Sequence, residues 1–261
     1  MPANEFASLV PQVVALAREA GVAAMRYYTG GFAVRRKMDA SPVTEADEAA
    51  EAIILAGLRR LTPDIPEVSE EAVARGVSSV DPAKLPPRYW LVDPIDGTKE
   101  FVARNGEFTV NIGLVEHGLP VLGVLHSPVT GRTFAGCGPG TAIVQAGDAS
   151  PQPIRARRPP PQGLVVVASR SHGNKPALSA YLEDFPVAEL RLMGSAIKFC
   201  LIAEGQADLY ARLGPTMEWD TCAGHAILEA AGGSMTTLSG AKLQYGKPGF
   251  LNSDFVARGA S

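Results

Sequence analysis

Cysteine is scarce in this sequence. Cys137, Cys200 and Cys222 are the only three, and no two stand as C-x-x-C. No disulfide framework follows from them, and buried free thiols in a reducing cytosol are the expectation. Charge of one sign is not in excess either. The net charge is −3, which supplies no global field for a nucleic-acid polymer or an anionic membrane. A phosphate site must therefore be made positive locally, by metal ions and a few Lys or Arg. No apolar run is long enough to span a bilayer. The opening MPANEFASLV lacks a basic flank followed by an apolar run, so no signal peptide is expected. Internal repeats are also missing. What remains, 46% hydrophobic and 20% charged over 261 residues, is ordinary globular composition with room for a sizeable core in one large or two modest domains.

The apolar pattern orders the chain. Phe6, Leu9, Val10, Val13, Val14, Ala17 and Ala20 recur at helical spacing and predict a helix over Glu5–Tyr28, ended by Gly30-Gly31. Val34–Met38 is a short strand candidate. Thr44 and Asp47 form a capping-box pair before a helix that runs to about Leu61 and buries Ala50, Ile53, Ile54, Leu58 and Leu61. Pro63–Pro66 breaks the chain. Asp64, Glu67, Glu70 and Glu71 then crowd a short stretch, as in a solvated loop, and Arg75–Lys84 reads as a flexible loop. Phe108–Val115, Val121–His126 and Arg132–Gly136, separated by His117-Gly118 and Thr130-Gly131, predict an antiparallel meander, with Ala142–Gln145 as a further strand. Gly147–Gln162 holds five prolines with Arg155, Arg157 and Arg158. A subdomain boundary is expected there, dividing 1–150 from 151–261, with the arginines on a solvated basic loop. Beyond it, strands at Leu164–Ala168, Glu189–Leu192 and Ala207–Ala211 alternate with helices at Lys175–Leu182, Ala196–Glu204 and Trp219–Ala231. Such alternation argues for an α/β layer.

The stretch from Trp90 to Phe101 organises the rest. The apolar run Tyr89–Val92 leads into Asp93-Pro94-Ile95-Asp96-Gly97-Thr98. The two acids offer hard oxygens of the kind Mg2+ takes while it still holds waters and phosphate oxygens. Pro94 restricts their directions. Gly97 lets the backbone approach a bulky anion, and the amides of Gly97 and Thr98 could cradle a phosphate. A strand ending in an acidic turn is, on its own, more often a surface loop.

The full string Asp93–Phe101, DPIDGTKEF, resembles the signature of the lithium-sensitive, Mg2+-dependent sugar and nucleotide phosphatases, the inositol monophosphatase superfamily. Three more elements carry the likeness: Val43-Thr44-Glu45-Ala46-Asp47, Ser69-Glu70-Glu71, and Trp219-Asp220-Thr221-Cys222-Ala223-Gly224. Cys222 stands where the family usually has Ala. Longer strings resemble the superfamily's 3'(2'),5'-bisphosphate nucleotidases, in particular the bacterial CysQ-type branch. They are Asn105–Asn111, Ser169-Arg170-Ser171-His172, Gly194–Cys200 and Ala203–Asp208, with Lys99-Glu100-Phe101 in place of the T-N-F typical of inositol enzymes.

The resemblance implies a layered α-β-α-β-α fold of the α/β (α+β) class. It implies two to three Mg2+ ions on Glu70, Asp93, the Ile95 carbonyl, Asp96 and Asp220, with Glu71 as a less direct acid. Glu70 and Thr98 would orient the attacking water, and Asp47 would hydrogen-bond Thr98. Substrate contacts would come from Gly97, Thr98, Lys99, His172, Ser195, Lys198, Arg212 and Asp220. Ala196 stands where the family has a second Ser. The implied reaction removes the 3'-phosphate of adenosine 3',5'-bisphosphate to leave AMP, with 3'-phosphoadenosine 5'-phosphosulfate as a second substrate. Outside the resemblance, Asp47 is explained by helix capping, Asp220 by a helix N-terminus, His172 by a structural hydrogen bond and Lys198 by an exposed helix face. Two other functions stay open: an inositol or sugar phosphatase with a changed pocket, and a non-catalytic sensor of phosphorylated nucleotides. The expected setting is the cytosol, with any membrane attachment peripheral to the inner face of the cell membrane. The expected state is a monomer or a homodimer.

Overall fold

The computed structural model describes residues 6–36, 42–76 and 81–261. The end of the Val34–Met38 strand candidate and the middle of the Arg75–Lys84 loop lie outside the described residues. After a short 3-10 turn, α1 (Val10–Gly30) and α2 (Glu45–Leu61) pack against each other, linked by the paired strands β1 (Val34–Arg36) and β2 (Pro42–Thr44). The capping box forms as expected: Thr44 Oγ1 accepts from Ala46 N, while Asp47 Oδ2 accepts from Thr44 N at 2.8 Å.

A seven-stranded sheet follows. In spatial order it runs β3 (Glu67–Ser69), β4 (Arg88–Asp96), β5 (Thr109–Glu116), β6 (Leu119–Ser127), β7 (Arg132–Gly136), β8 (Ile143–Ala146) and β9 (Gln152–Pro153). Among the described residues only its β3–β4 pair is parallel; β5 to β8 form the predicted meander, which β4 and β9 extend with antiparallel pairs of their own. A second sheet has the order β11 (Val187–Met193), β10 (Leu164–Ser169), β12 (Leu209–Arg212), β14 (Phe255–Arg258), β13 (Ser234–Thr237).

Five layers result. One face of the seven-stranded sheet presents Trp90, Val92, Val110, Ile112, Leu114, Leu122 and Val124 to Val13, Ala17, Ala20, Ile54 and Leu58 of α1 and α2. Alternate strand residues face opposite ways, so the other face is free for a second layer. There α6 (Ile197–Ala203) and α7 (Cys222–Ala230) bury Phe199, Cys200, Ile227 and Leu228 between the two sheets. The far side of the second sheet is covered by Leu178, Tyr181 and Leu182 of α5 (Lys175–Leu182). This is the α-β-α-β-α arrangement. All three cysteines are buried and free.

One packing detail positions the site. Gly113, Gly123 and Gly136 are neighbours across β5, β6 and β7. A Cβ on Gly113 would lie 2.6 Å from Cys222 Sγ, and one on Gly123 2.2 Å from the Ala223 carbonyl oxygen. The bare backbone there lets the start of α7 sit directly on the sheet, close to β4.

Three expectations are corrected. Glu67–Glu71 is not a solvated loop: β3 hydrogen-bonds to β4, and α3 (Glu70–Ala74) starts at Glu70 with Glu71 buried. The helix expected over Trp219–Ala231 begins at Cys222, so Asp220 lies in the preceding turn with Thr221 at the N-cap. The arginine-bearing loop is anchored rather than merely solvated. Arg157 makes a two-pronged pair with the buried Asp208 at 2.8 and 2.9 Å, and Arg158 reaches the Ser261 carbonyl.

Candidate active site

On an unbroken strand, residues three apart point to opposite faces. Asp93 and Asp96 escape this because the β4–β5 register shifts between them: Asp93 pairs with Asn111, but Asp96 pairs with Thr109. The extra residue is a bulge, a conformation that tolerates Pro94 and re-aims the side chains. Ile95 N donates to Asp93 Oδ1 at 3.1 Å and holds the kink. Both acids thus reach one cavity of about 320 Å3. Gly97 then turns with φ 92°, and Thr98 opens the short α4 (Thr98–Val102). A Cβ on Gly97 would lie 3.0 Å from the Glu107 carbonyl oxygen and 3.3 Å from Ser195 Cβ. The turn therefore needs glycine for both its conformation and its close packing.

Glu70, on the neighbouring strand end, and Asp220, in the turn seated by α7, complete the acidic wall. Carboxylate oxygens of Glu70, Asp93 and Asp220 all lie within 4.8 Å of one another. Asp220 Oδ2 accepts from Met217 N at 2.9 Å. Burial, then the charges of Asp96 and Glu70, push the Asp220 carboxyl well above its ordinary pKa. Asp96 lines the same cavity but stands outside the compact trio. Its Oδ2 accepts from Ala196 N and from Asn111 Nδ2. Its pKa is raised to about 6, first by burial, with the Lys198 charge opposing. Three acids this close repel when ionised. A hard divalent cation removes that conflict and takes oxygen ligands, so the donor set fits Mg2+.

One predicted contact sits differently from expectation. Thr98 Oγ1 donates its single proton to the Ile95 carbonyl at 3.2 Å rather than to Asp47. Asp47 Oδ2 takes both the amide and the hydroxyl of Thr44, the latter at 2.7 Å. Capping and the bulged strand thus claim these groups. Asp47 is buried at the start of α2 and Glu71 in α3, away from the cavity lining, whereas every other predicted site residue lines the cavity.

Cations form a basic wall of the same cavity. Lys198 is buried, not on an exposed helix face. Its ammonium donates to the Ser195 carbonyl and lies 5.1 Å from the centre of the Tyr210 ring. Burial lowers its pKa to about 8. Arg212 is buried and gives Nη2 to the Pro215 carbonyl at 2.6 Å. Its Nε has no hydrogen-bond partner among the described residues. At the rim, Lys99 Nζ and His172 Nε2 are 2.8 Å apart. Partial burial, then the Lys99 and Arg212 charges, hold the His172 ring below its usual pKa. Ser195 has φ 46°, a strained conformation for a residue other than glycine.

Sequence reasoning missed what joins the walls. Glu107 accepts Gly194 N at 2.7 Å and Arg170 through both oxygens. Ser171 Oγ donates to the buried Glu100. Both acids stand in strings already singled out, yet nothing in their spacing names partners so far along the chain. Tyr210 also lines the cavity and carried no signal beyond being an apolar strand residue.

The inositol monophosphatase family pattern matches residues 7–259. The chain belongs to that family. The 3'(2'),5'-bisphosphate nucleotidase CysQ of Salmonella typhimurium is 47% identical over 255 residues, 95% of this chain and 98% of that protein. The nucleotidase CysQ of Escherichia coli K12 is 45% identical with the same coverage. The crystal structure of CysQ from Bacteroides thetaiotaomicron, a bacterial member of the inositol monophosphatase family, aligns with a TM-score of 0.83 at 34% identity, covering 98% of this chain and 99% of that one. Among the described residues no helix is long and apolar enough to cross a membrane.

Proposed function

We propose that the chain is a Mg2+-dependent 3'(2'),5'-bisphosphate nucleotidase that converts adenosine 3',5'-bisphosphate and water to AMP and inorganic phosphate. The observation that carries this reading is the single cavity lined by both a cluster of acids and buried cations. Glu70, Asp93, Asp220, Asp96 and the Ile95 carbonyl would hold two to three Mg2+ ions. Bound there, the ions would neutralise the phosphate and clamp the attacking and leaving oxygens of an in-line displacement.

The chain's own groups supply the rest. The Gly97 and Thr98 amides face the 3'-phosphate. Glu70 and the Thr98 hydroxyl orient the water, with Asp47 fixing the start of α2 behind them. The water oxygen bonds to phosphorus, the phosphorus–O3' bond breaks, and the proton given up by the water ends on the released O3' oxygen. Lys198 and Arg212 exchange their backbone carbonyl partners for the 5'-phosphate, Arg212 as a fork and Lys198 as a point charge. Lys99, His172 and Ser195 border the nucleoside. In this reading residues 1–150 supply most of the acids, and 151–261 supply Asp220 and most substrate contacts.

The test is phosphate release with Mg2+ from adenosine 3',5'-bisphosphate and from inositol 1-phosphate, side by side. A strong preference for the nucleotide is expected. Preference for the inositol ester would keep the acids and overturn the cation assignments. Tight binding of the nucleotide without turnover of either would make the chain a sensor.

A further inference from the structure

We propose that Glu51, which does not line the cavity, is the positioning residue for Glu70. This rests on the reading of Glu70 as a metal ligand. Glu51 lies on α2, its side chain 5% exposed. Oε1 accepts from Ser69 Oγ at 2.6 Å and from Ala72 N at 2.9 Å, and Oε2 accepts from Arg75 Nη2. Those donors lie just before Glu70, two residues after it and five residues after it.

Glu70 needs such a brace. It stands at the junction of a three-residue edge strand and a five-residue helix. A helix of that length does not hold itself together. Its first amides also want a cap. Ser69 occupies the N-cap position, yet its side chain makes no capping bond. The hydroxyl goes to Glu51, and Glu51 takes the Ala72 amide that a capping serine would have taken. A carboxylate from another element thus acts as the cap of α3, and it favours that helix start electrostatically as well. The 17-residue α2, closed at its own start by the Thr44–Asp47 capping box, lends its rigidity to Glu70. Arg75 neutralises the buried charge.

The experiment is Mn2+ binding by calorimetry on the whole chain, with melting recorded in the absence of divalent ions. Glu51→Gln, which keeps size but sets an amide against Arg75, is expected to weaken Mn2+ by roughly tenfold or more, as loss of a partner behind a ligand does. Ser69→Ala removes one bond of the brace and should weaken it roughly fivefold while melting close to the wild type. Glu67→Ala, on the same strand but paired with Arg59, should leave Mn2+ affinity unchanged. Wild-type affinity in folded Ser69→Ala and Glu51→Gln would overturn the proposal. Equal losses in Glu67→Ala would reduce Glu51 to a general stabiliser of β3 and overturn it too. If Glu70→Gln binds Mn2+ as the wild type does, the metal reading of Glu70 falls and the proposal with it.

Discussion

The two walls of the cavity are held in opposite ways. On the acidic wall the backbone decides where each carboxylate stands. A bulge sets Asp93 and Asp96, a strand–helix junction sets Glu70, and a turn pressed on a glycine-lined sheet sets Asp220. On the basic wall long side chains decide. Lys198 and Arg212 reach their places through several rotatable bonds and rest on the carbonyls of Ser195 and Pro215. A preorganised wall does chemistry without reorganising. A wall of long-chain cations resting on replaceable acceptors can be retuned by one substitution. The chemistry should therefore be brittle at the acids and the substrate preference adjustable at the cations.

The largest expected effect is on the acidic wall. Asp93→Asn should lower phosphate release by about a thousandfold or more, on the scale of losing a preorganised electrostatic group. Circular dichroism and the melting curve should change little, because the buried carboxylate is replaced by an amide of the same shape. Substantial activity would remove Asp93 from the metal site.

Next comes pH on the basic wall. Lys198 has its pKa lowered to about 8 by burial. It is charged below that value and neutral above it, so its attraction for a phosphate is present at low pH and lost as pH rises. KM for the nucleotide bisphosphate should climb about tenfold per unit above pH 8, one charge titrating. Lys198→Arg, which stays charged, should flatten that limb. A wild-type KM flat from pH 7 to 10 would contradict this.

A smaller effect belongs to the turn that joins the walls. Gly97→Ala forces a side chain into the left-handed region at φ 92°. It should cost about 1–2 kcal/mol of stability and also lower kcat, because the Glu107 carbonyl and the Ser195 side chain must give way. Denaturant unfolding and phosphate release measure the two parts.

The smallest effect tests whether the acid-bearing sheet has its own pH dependence. His126 on β6 is buried, and burial with the nearby Arg18 charge lowers its pKa to about 4. The unfolded chain binds its proton near the ordinary value and the folded chain does not. Stability is therefore full above about pH 6.5 and is lost as pH falls toward 4. The denaturant midpoint should drop between pH 7 and pH 5, and less so in His126→Gln.

The sequence pattern already carried most of this division, unevenly. Local signals read well: the Thr44–Asp47 capping box, the helix ending at Leu61, the meander with its His117-Gly118 turn and the helix Lys175–Leu182 all formed where periodicity and turn chemistry put them. The acids were legible as motifs, but not the bulge that turns Asp93 and Asp96 the same way, since a register shift depends on β5 as much as on β4. Gly113, Gly123 and Gly136 meet only once three strands pair, so the seat of α7 was hidden. Acid density suggested a solvated loop at Glu67–Glu71, whereas pairing with β4 and the distant Glu51 order it. The place of β14 was hidden as well, since it lies between β12 and β13 inside the second sheet and pairs with strands on both sides of it. The burial of Lys198 could not be read either, because its acceptors belong to the turn before α6.

The division between the walls is tested most directly by kcat/KM for adenosine 3',5'-bisphosphate relative to adenosine 3'-monophosphate in Lys198→Ala. Both esters carry the scissile 3'-phosphate, and only the first carries the 5'-phosphate. The ratio should fall at least tenfold, about the worth of one charge-assisted bond, with the monophosphate rate nearly unchanged. Equal losses on the two esters would contradict the account and put Lys198 on the side of the chemistry.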